Sequence, residues 1–266
     1  MKSENSNSVL SIHNLSIGYL KKKSTIEIAN NINLSINKGK FVALLGKNGV
    51  GKSTLLRSIA KVQPELSGEI LLKGKPLNNY TPKELATVLS LVLTERLPVS
   101  QLTVFELVAL GRQPYTNWVD TLSETDIEKI NLAIEQTEIS HLINKRFYEL
   151  SDGQLQRVLI ARALAQDTEL IILDEPTAHL DMHHTYKIFQ LLQKLVSTTQ
   201  KTIIISTHQI NLALEIVDEL ILMDGIGVKH DSTKNCIDSN LLDSLFPKEV
   251  LYFNKTLQQF AISKKD

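Results

Sequence analysis

The sequence predicts an α/β fold with a doubly wound core, and three observations lead to this prediction. The apolar runs 170–173 and 202–205 are short, continuous and rich in β-branched residues, which is typical of strands buried on both faces of a parallel sheet. Helical patterns separate these runs, and such β-α-β alternation favours a doubly wound sheet. A glycine-rich segment at 46–54 follows a third apolar run, 41–45, and precedes a helix-compatible stretch, which is the strand–loop–helix context of a phosphate-binding loop.

The regions on either side of this core have patterns of their own. Residues 32–37 alternate between apolar and polar, the period of a half-buried strand, and 67–74 is a second short strand pattern with glycines near both ends. We therefore expect an N-terminal antiparallel β-subdomain. The main domain is expected to span residues 8–230, and the weaker periodicity of residues 231–266 predicts a small C-terminal appendage.

An α-helical subdomain is predicted as an insert at about residues 97–160. Thr103 and Glu106 form a capping-box pattern at the start of a helix that Gly111 is expected to end. A second helical stretch follows with isoleucines at helical spacing, which predicts a stripe that faces the core. These isoleucines are Ile127, Ile130 and Ile134.

Composition excludes several classes of protein. The chain has 266 residues, enough for a sizeable buried core, and its 29 basic and 29 acidic residues give a formal net charge of zero. This balance argues against bulk attraction to nucleic acid, so no nucleic-acid partner is expected. Cys236 is the only cysteine, which favours a reducing compartment. No apolar run approaches the ~18–20 residues that a membrane span needs, and the first residues lack the apolar segment of a signal peptide.

The glycine-rich segment matches the pattern G-x-x-x-x-G-K-[S/T], whose glycines let backbone N–H groups point at one anion. Lys52 is expected to place a positive charge at the β- and γ-phosphates, and Ser53 to offer a hydroxyl to Mg²⁺. About 0.01 chance matches are expected in a chain of this length, so a fortuitous turn is rejected. The residues predicted to bind the nucleotide are Gly46, Lys47, Asn48, Gly49, Val50, Gly51, Lys52, Ser53 and Thr54.

Asp174 and Glu175 follow the apolar run 170–173, at the carboxyl end of a predicted parallel strand, where open α/β sheets bind ligands. We expect Asp174 to bind Mg²⁺, directly or through water. Glu175 is expected to orient and deprotonate a water for attack on the γ-phosphate. A surface Asp-Glu pair is the alternative, and the phosphate loop upstream favours the functional interpretation.

Residues 150–154 read Leu-Ser-Asp-Gly-Gln and open a helical stretch. The structural interpretation is that Ser151 is simply the N-cap of that helix. The functional interpretation is that the helix N-terminus presents its dipole and its free N–H groups to a phosphate. We call Ser151, Gly153 and Gln154 the signature residues.

Four motifs follow one another along the chain: the phosphate loop, the segment 150–154, the pair Asp174-Glu175 and Ser206-Thr207-His208. Their order and spacing resemble those of the ATPase subunits of ABC transporters. The chain resembles that family from about Leu10 to about Val228. Because of this resemblance, Asp181 is identified with the aspartate of the loop that crosses the dimer interface, and His208 with the switch histidine that contacts the γ-phosphate.

The resemblance also implies that Tyr19 stacks on adenine, although an ordinary tyrosine at a strand end is the alternative. The implied ligands are ATP and Mg²⁺. One ATP would lie between the phosphate loop of one subunit and the signature residues of a second, with a homodimer as the expected form. Binding would close the pair and hydrolysis would open it. The implied partners are a polytopic membrane permease and, indirectly, a substrate-binding protein, which places the chain at the cytoplasmic face of the inner membrane.

The sequence departs from the family pattern at two places. Asp152 stands where glycine is commonest, and its carboxylate is unfavourable only if it faces phosphate. Thr94 and Glu95 stand where a glutamine normally follows the strand at 89–93. Either side chain offers an oxygen to Mg²⁺ or to the attacking water, and the residues leave open which of the two does so.

The segment 102–115 is similar to the helical subdomain of ATPases that serve importers of iron chelates, haem and vitamin B12. The alternative function is a soluble ABC ATPase not tied to transport, such as one with a coiled-coil arm. The 98 residues between Lys52 and Ser151 are too few for such an arm. A GTPase is disfavoured because no Asn-Lys-x-Asp motif is present, and a non-hydrolysing scaffold is disfavoured by Asp174, Glu175 and His208.

Overall fold

A six-stranded sheet with the order β10-β9-β3-β8-β7-β6 forms the centre of the computed structural model, which describes residues 7–21, 24–93, 100–116, 121–246 and 251–262. All neighbouring strands of this sheet are parallel except β10, which pairs antiparallel with β9. The strands are β1 (Ser8–Lys21), β2 (Ser24–Asn37), β3 (Phe41–Gly46), β4 (Ser67–Leu72), β5 (Lys75–Pro76), β6 (Leu89–Val92), β7 (Leu170–Leu173), β8 (Thr202–Ser206), β9 (Glu219–Met223), β10 (Val228–Ser232), β11 (Leu251–Asn254) and β12 (Gln259–Ile262). The helices are α1 (Lys52–Ile59), α2 (Pro82–Ala86), α3 (Val104–Ala109), α4 (Glu124–Gln136), α5 (Asp152–Ala165), α6 (Met182–Thr199), α7 (Ile210–Ile216) and α8 (Thr233–Asp238).

The central strands are apolar throughout because both faces of the sheet are covered. In β3, Phe41, Ala43 and Leu45 point into one core cluster, which includes the helical subdomain, and Val42 and Leu44 point into a second cluster. Successive side chains of a strand point to opposite faces, so one strand serves both clusters. The doubly wound core predicted from the runs at 170–173 and 202–205 is confirmed.

The second cluster is shared with the N-terminal subdomain, whose antiparallel sheet has the order β2-β1-β4-β5. Ile32, Leu34 and Ile36 of β2 are buried while the residues between them are exposed, as the alternating pattern predicted. This sheet contacts the phosphate loop and the start of α1, since Ile28 of β2 lies against Gly51 and the Tyr19 hydroxyl of β1 lies 3.1 Å from Thr54 Oγ1. The predicted antiparallel subdomain is confirmed.

The helical subdomain begins with the predicted capping box, in which Thr103 Oγ1 accepts from the Glu106 backbone N–H and Glu106 Oε2 accepts from the Thr103 N–H. In α4, Ile130 and Ile134 are buried as predicted, but Ile127 is 41% exposed, so that part of the predicted stripe is wrong. The inner position of the first turn belongs to Asp126, which lies four residues before Ile130 and is paired with a buried arginine.

That arginine is Arg112, and it joins α4 to the C-terminal end of α5. Its Nε lies 2.8 Å from Asp126 Oδ1, and its Nη1 donates to the Ala165 carbonyl at 2.7 Å. Its guanidinium lies 3.9 Å from the ring centre of Tyr115, whose hydroxyl donates to the Gln166 carbonyl at 2.9 Å. The two side chains therefore cap carbonyls at the end of the helix that begins with the signature residues.

The C-terminal region is more closely joined to the main domain than the sequence predicted. The boundary expected between residues 230 and 231 falls inside β10, and Cys236, Leu242 and Leu245 are fully buried in the first core cluster. The antiparallel hairpin of β11 and β12 packs against the same cluster through Phe253 and Phe260, and the Phe260 N–H donates to Asn211 Oδ1 of α7.

Within the ranges given above, no helix combines the length and the apolar character that crossing a membrane requires.

Candidate functional site

A cleft of about 420 Å³ lies at the carboxyl ends of the central strands β3, β7 and β8. The structure brings together in it the phosphate loop, the aromatic residue of β1 and the two polar groups predicted to act on the γ-phosphate. Its lining residues are Tyr19, Ile28, Asn48, Gly49, Gly51, Lys52, Ser53, Thr54, Glu175 and His208. We call this space the cleft.

Two glycines give the phosphate loop its shape. Gly49 and Gly51 have φ angles of 76° and 110°, which side chains rarely adopt. Gly51 is the N-cap of α1, so the first N–H groups of that helix form the floor of the cleft and suit an anion. A Cβ at position 51 would also lie 2.4 Å from Cγ2 of Ile28, a cleft residue of β2 that no sequence motif indicated.

Lys52 is folded back onto its own loop. Its Nζ donates to the carbonyls of Gly46 at 3.0 Å and Lys47 at 3.1 Å, and the side chain is buried. Burial lowers the pKa of Lys52, an effect that the negative charges of Glu175 and Asp174 partly oppose. An incoming phosphate would stabilise the charged ammonium, so Lys52 is suited to binding an anion.

The oxygen atoms of Ser53 and Asp174 lie together at the edge of the cleft. Ser53 Oγ donates to Asp174 Oδ1 at 3.1 Å, and Ser206 Oγ donates to the same oxygen at 2.6 Å. One carboxylate and one hydroxyl fit Mg²⁺, which prefers oxygen ligands and usually takes its remaining ligands from phosphates and water. Among the described residues no group of three or more His, Cys, Asp or Glu side chains could hold a metal by itself, which agrees with this sparse donor set.

Glu175 and His208 form a direct pair across the cleft. Glu175 Oε1 lies 2.6 Å from His208 Nε2, and both side chains are partly exposed. Glu175 has a φ of 47°, the left-handed region, and its N–H donates to Ser206 Oγ at 2.8 Å. A carboxylate in this position can accept a proton from water, and a histidine beside it can orient the same water or contact a phosphate.

Tyr19 of β1 also lines the cleft. Its side chain is 45% exposed, and its hydroxyl is 3.1 Å from Thr54 Oγ1 of the phosphate loop. The ring is therefore available for stacking. Of the remaining loop residues, Lys47 and Asn48 are exposed and Val50 is partly exposed, and Asn48 lines the cleft.

The signature residues and Asp181 are not among the lining residues of the cleft and form a separate cluster. Ser151 is the N-cap of α5, with a capping box in which Gln154 Oε1 accepts from the Ser151 N–H. Asp181 is the N-cap of α6, and both of its carboxylate oxygens lie 2.9 Å from His184 Nδ1. The His184 ring lies against Gly153, since a Cβ there would be 3.1 Å from Cδ2.

The cluster is polar and open. Ser151, Asp152 and Asp181 are exposed, so the desolvation cost of the Asp152 carboxylate is small. The backbone N–H of His184, and then its ring, lower the pKa of Asp181. The helix N-terminus of α5 and the carboxylate of Asp181 therefore lie on an exposed surface outside the lining of this chain's own cleft. Thr94 and Glu95 lie outside the described residues.

Comparisons with known proteins give the family. A family model described as "ABC transporter" matches residues 29–178. The iron(3+)-hydroxamate import ATP-binding protein FhuC of Bacillus subtilis is 35% identical over 89% of this chain and 87% of its own length. The ferric enterobactin transport ATP-binding protein FepC of Escherichia coli is 34% identical over 87% of this chain and 84% of its own.

Among solved structures, a dimeric ATP-binding cassette in a post-hydrolysis state, with ADP and phosphate bound, superimposes with a TM-score of 0.71. It is 30% identical, and the match covers 84% of this chain and 98% of that one. The family model covers the phosphate loop and the Asp174–Glu175 pair, and the relatives extend the match over most of the chain. The chain therefore belongs to the ABC transporter family, as an ATP-binding subunit that hydrolyses ATP.

Proposed function

We propose that this chain is the ATPase subunit of an importer whose cargo is a ferric siderophore, haem or cobalamin. One observation carries the cargo class. Relatives named for iron(3+)-hydroxamate import and ferric enterobactin transport match 89% and 87% of this chain, which is well beyond the nucleotide cleft and includes the helical subdomain. The ATPase does not itself hold the cargo, so its partners are a polytopic permease and, through it, a substrate-binding protein.

Within the cleft, each residue has a role that its geometry supports. The phosphate loop and Lys52 hold the ATP phosphates, and the ring of Tyr19 stacks on the adenine. Ser53 and Asp174 would hold Mg²⁺, which would supply positive charge against the charge that develops on the phosphates. Glu175 accepts the proton of the attacking water, while His208 leaves Glu175 to contact the γ-phosphate.

The cleft of one chain supplies only half of the proposed site. The signature residues present an exposed helix N-terminus outside the cleft, and Asp181 lies beside them. A second copy of the chain would place this surface over the γ-phosphate, so that two chains enclose two ATP. The dimeric cassette with ADP and phosphate supports this arrangement. Closure on ATP and opening after hydrolysis would then move the permease, at the cytoplasmic face of the membrane.

An uptake experiment tests the proposed function. Cells that carry the gene are compared with a deletion strain for uptake of iron-labelled hydroxamate and catecholate chelates, haem and cobalamin. Loss of one cargo class, restored by the parent chain and not by Glu175→Gln, is the expected result. Glu69→Gln is the matched control, since Glu69 is an exposed carboxylate of β4 outside the cleft, and it should restore uptake.

The contradicting result is unchanged uptake of every cargo together with no polytopic protein in pull-downs from membranes. That outcome would favour the soluble ABC ATPase. The Glu175→Gln chain should still bind ATP, because the substitution removes a proton acceptor and leaves the phosphate loop intact.

A further inference from the structure

Ser206 is the last residue of β8 and is fully buried between the two acidic residues of the neighbouring turn. Its Oγ donates to Asp174 Oδ1 at 2.6 Å and accepts the N–H of Glu175 at 2.8 Å. We propose that Ser206 is a positioning residue for ATP hydrolysis, which orients the Mg²⁺-binding carboxylate and the backbone of the general base together. This inference rests on the proposed roles of Asp174 and Glu175.

The hydrogen-bond geometry determines the direction of each bond. A hydroxyl has one proton and two acceptor lone pairs. The carboxylate can only accept and the backbone N–H can only donate, so the Ser206 proton lies toward Asp174 and a lone pair lies toward Glu175. The same hydroxyl therefore bonds to two consecutive residues whose side chains have different tasks.

The bond to Glu175 bears on a strained backbone. Glu175 has a φ of 47°, in the left-handed region that is unfavourable for a residue with a side chain. An N–H in this turn left without an acceptor would add a desolvation cost. Ser206 thus helps to hold the turn in the conformation that directs the Glu175 side chain toward His208 and into the cleft.

The bond to Asp174 differs from the one that Ser53 makes. Both hydroxyls donate to Oδ1, but the Ser206 bond is 2.6 Å and the Ser53 bond is 3.1 Å. Ser53 lines the cleft, so its oxygen can turn toward a metal ion that enters with ATP. Ser206 is fully buried and is not among the lining residues of the cleft, so its bond can hold the orientation of Asp174 when Ser53 turns toward the metal ion. Residues that orient metal ligands in this way typically affect metal affinity by about 10–100-fold.

The test separates metal binding from nucleotide binding. Parent, Ser206→Ala and Ser206→Thr chains are titrated with Mn²⁺ in the presence of ADP, with bound Mn²⁺ measured by electron paramagnetic resonance. ADP affinity is measured separately in EDTA. The expected result for Ser206→Ala is Mn²⁺ affinity about tenfold lower or more, with ADP affinity in EDTA unchanged. Ser206→Thr keeps the hydroxyl and should restore Mn²⁺ affinity.

Ser58→Ala is the matched control. Ser58 is also fully buried, and its hydroxyl has no hydrogen-bond partner in the part of the chain that the structure describes. Its removal should leave Mn²⁺ binding as in the parent. Unchanged Mn²⁺ affinity in Ser206→Ala would overturn the inference, and so would an equal loss of ADP affinity in EDTA. Absence of Mn²⁺ binding in the parent chain would instead overturn the proposed roles of Ser53 and Asp174.

Discussion

Replacement of Arg112 by alanine should destabilise the helical subdomain strongly. Arg112 is 5% exposed and its guanidinium has three partners in different parts of the subdomain, namely the carboxylate of Asp126, the carbonyl of Ala165 and the ring of Tyr115. These partners belong to α4, to the end of α5 and to the segment after α3. Loss of the side chain therefore affects all three packed elements.

The expected loss of stability in Arg112→Ala depends on the contacts that Asp126 keeps. Removal of one partner of a buried ion pair costs about 3–5 kcal/mol in the free energy of unfolding. Asp126 retains bonds from the Ser123 N–H at 2.9 Å and the Ser123 hydroxyl at 2.6 Å, so its charge is only partly uncompensated. This places the cost near the lower end, about 3 kcal/mol.

The loss of stability in Arg112→Ala should become smaller as the pH falls. Bonds from the Ser123 hydroxyl and N–H, and then Arg112, lower the pKa of Asp126 below its ordinary value of 3.8. A lowered carboxyl pKa contributes stability that is present above the ordinary value and is lost as pH falls through the folded-state value. The difference between parent and variant should thus be full near neutral pH and should shrink in acid, where Asp126 is protonated in both.

The assay is urea unfolding of parent and Arg112→Ala followed by circular dichroism, at neutral pH and in acid. Arg146→Ala is the control, because Arg146 is an exposed arginine of the same subdomain. The Asp126→Leu and double variants complete a double-mutant cycle, which should give a coupling energy within about 0.5–3 kcal/mol. An Arg112→Ala loss no larger than that of Arg146→Ala, or a loss that grows in acid, would refute the reasoning.

Three further sets of substitutions test individual roles in ATP binding and hydrolysis. Lys52→Ala should lower turnover by ~10²-fold or more, the scale of losing a transition-state contact, and an unchanged rate in a coupled ATPase assay would contradict its role. Tyr19→Ala should weaken ATP binding and leave the binding of inorganic triphosphate unchanged. Tyr19→Phe loses only the bond to Thr54 and should bind ATP like the parent. Equal effects of the two substitutions on ATP affinity would exclude stacking. Thr94→Ala and Glu95→Ala, made separately, should show which side chain replaces the usual glutamine, because only the variant that lacks this side chain should lose Mg²⁺-dependent turnover. Full ATPase activity in both variants would show that neither side chain replaces the glutamine.

The central strands could be predicted from the sequence because burial on both faces of the sheet leaves a continuous apolar run. The phosphate loop could be predicted because its glycines are required at fixed positions. Ile127 could not be placed correctly from spacing alone. Helical spacing locates an apolar stripe, but the inner position of the first turn belongs to Asp126, whose burial depends on an arginine 14 residues earlier in the chain. Such a pair leaves no periodic signal in the sequence.

Two residues of the cleft region illustrate the other limit. Ile28 covers Gly51 only because the antiparallel sheet lies over the loop, and its strand shows no motif. Ser206 was part of the motif that ends in His208, but its two bonds depend on the register of β7 and β8, which brings the ends of these strands side by side. Contacts made by pairing between distant segments are visible only once the strand order is known.

The central claim is that each ATP site is completed by the signature residues of a second chain. The direct measurement is the molecular mass of the Glu175→Gln chain in sedimentation, with and without ATP, together with the ATP bound per chain. The expected result is a dimer that forms only with ATP and holds two ATP. When Ser151→Asp is combined with Glu175→Gln, the dimer should no longer form. An aspartate still caps α5, but its negative charge repels the phosphate. A Glu175→Gln chain that binds one ATP and stays monomeric, or a dimer indifferent to Ser151→Asp, would contradict the claim.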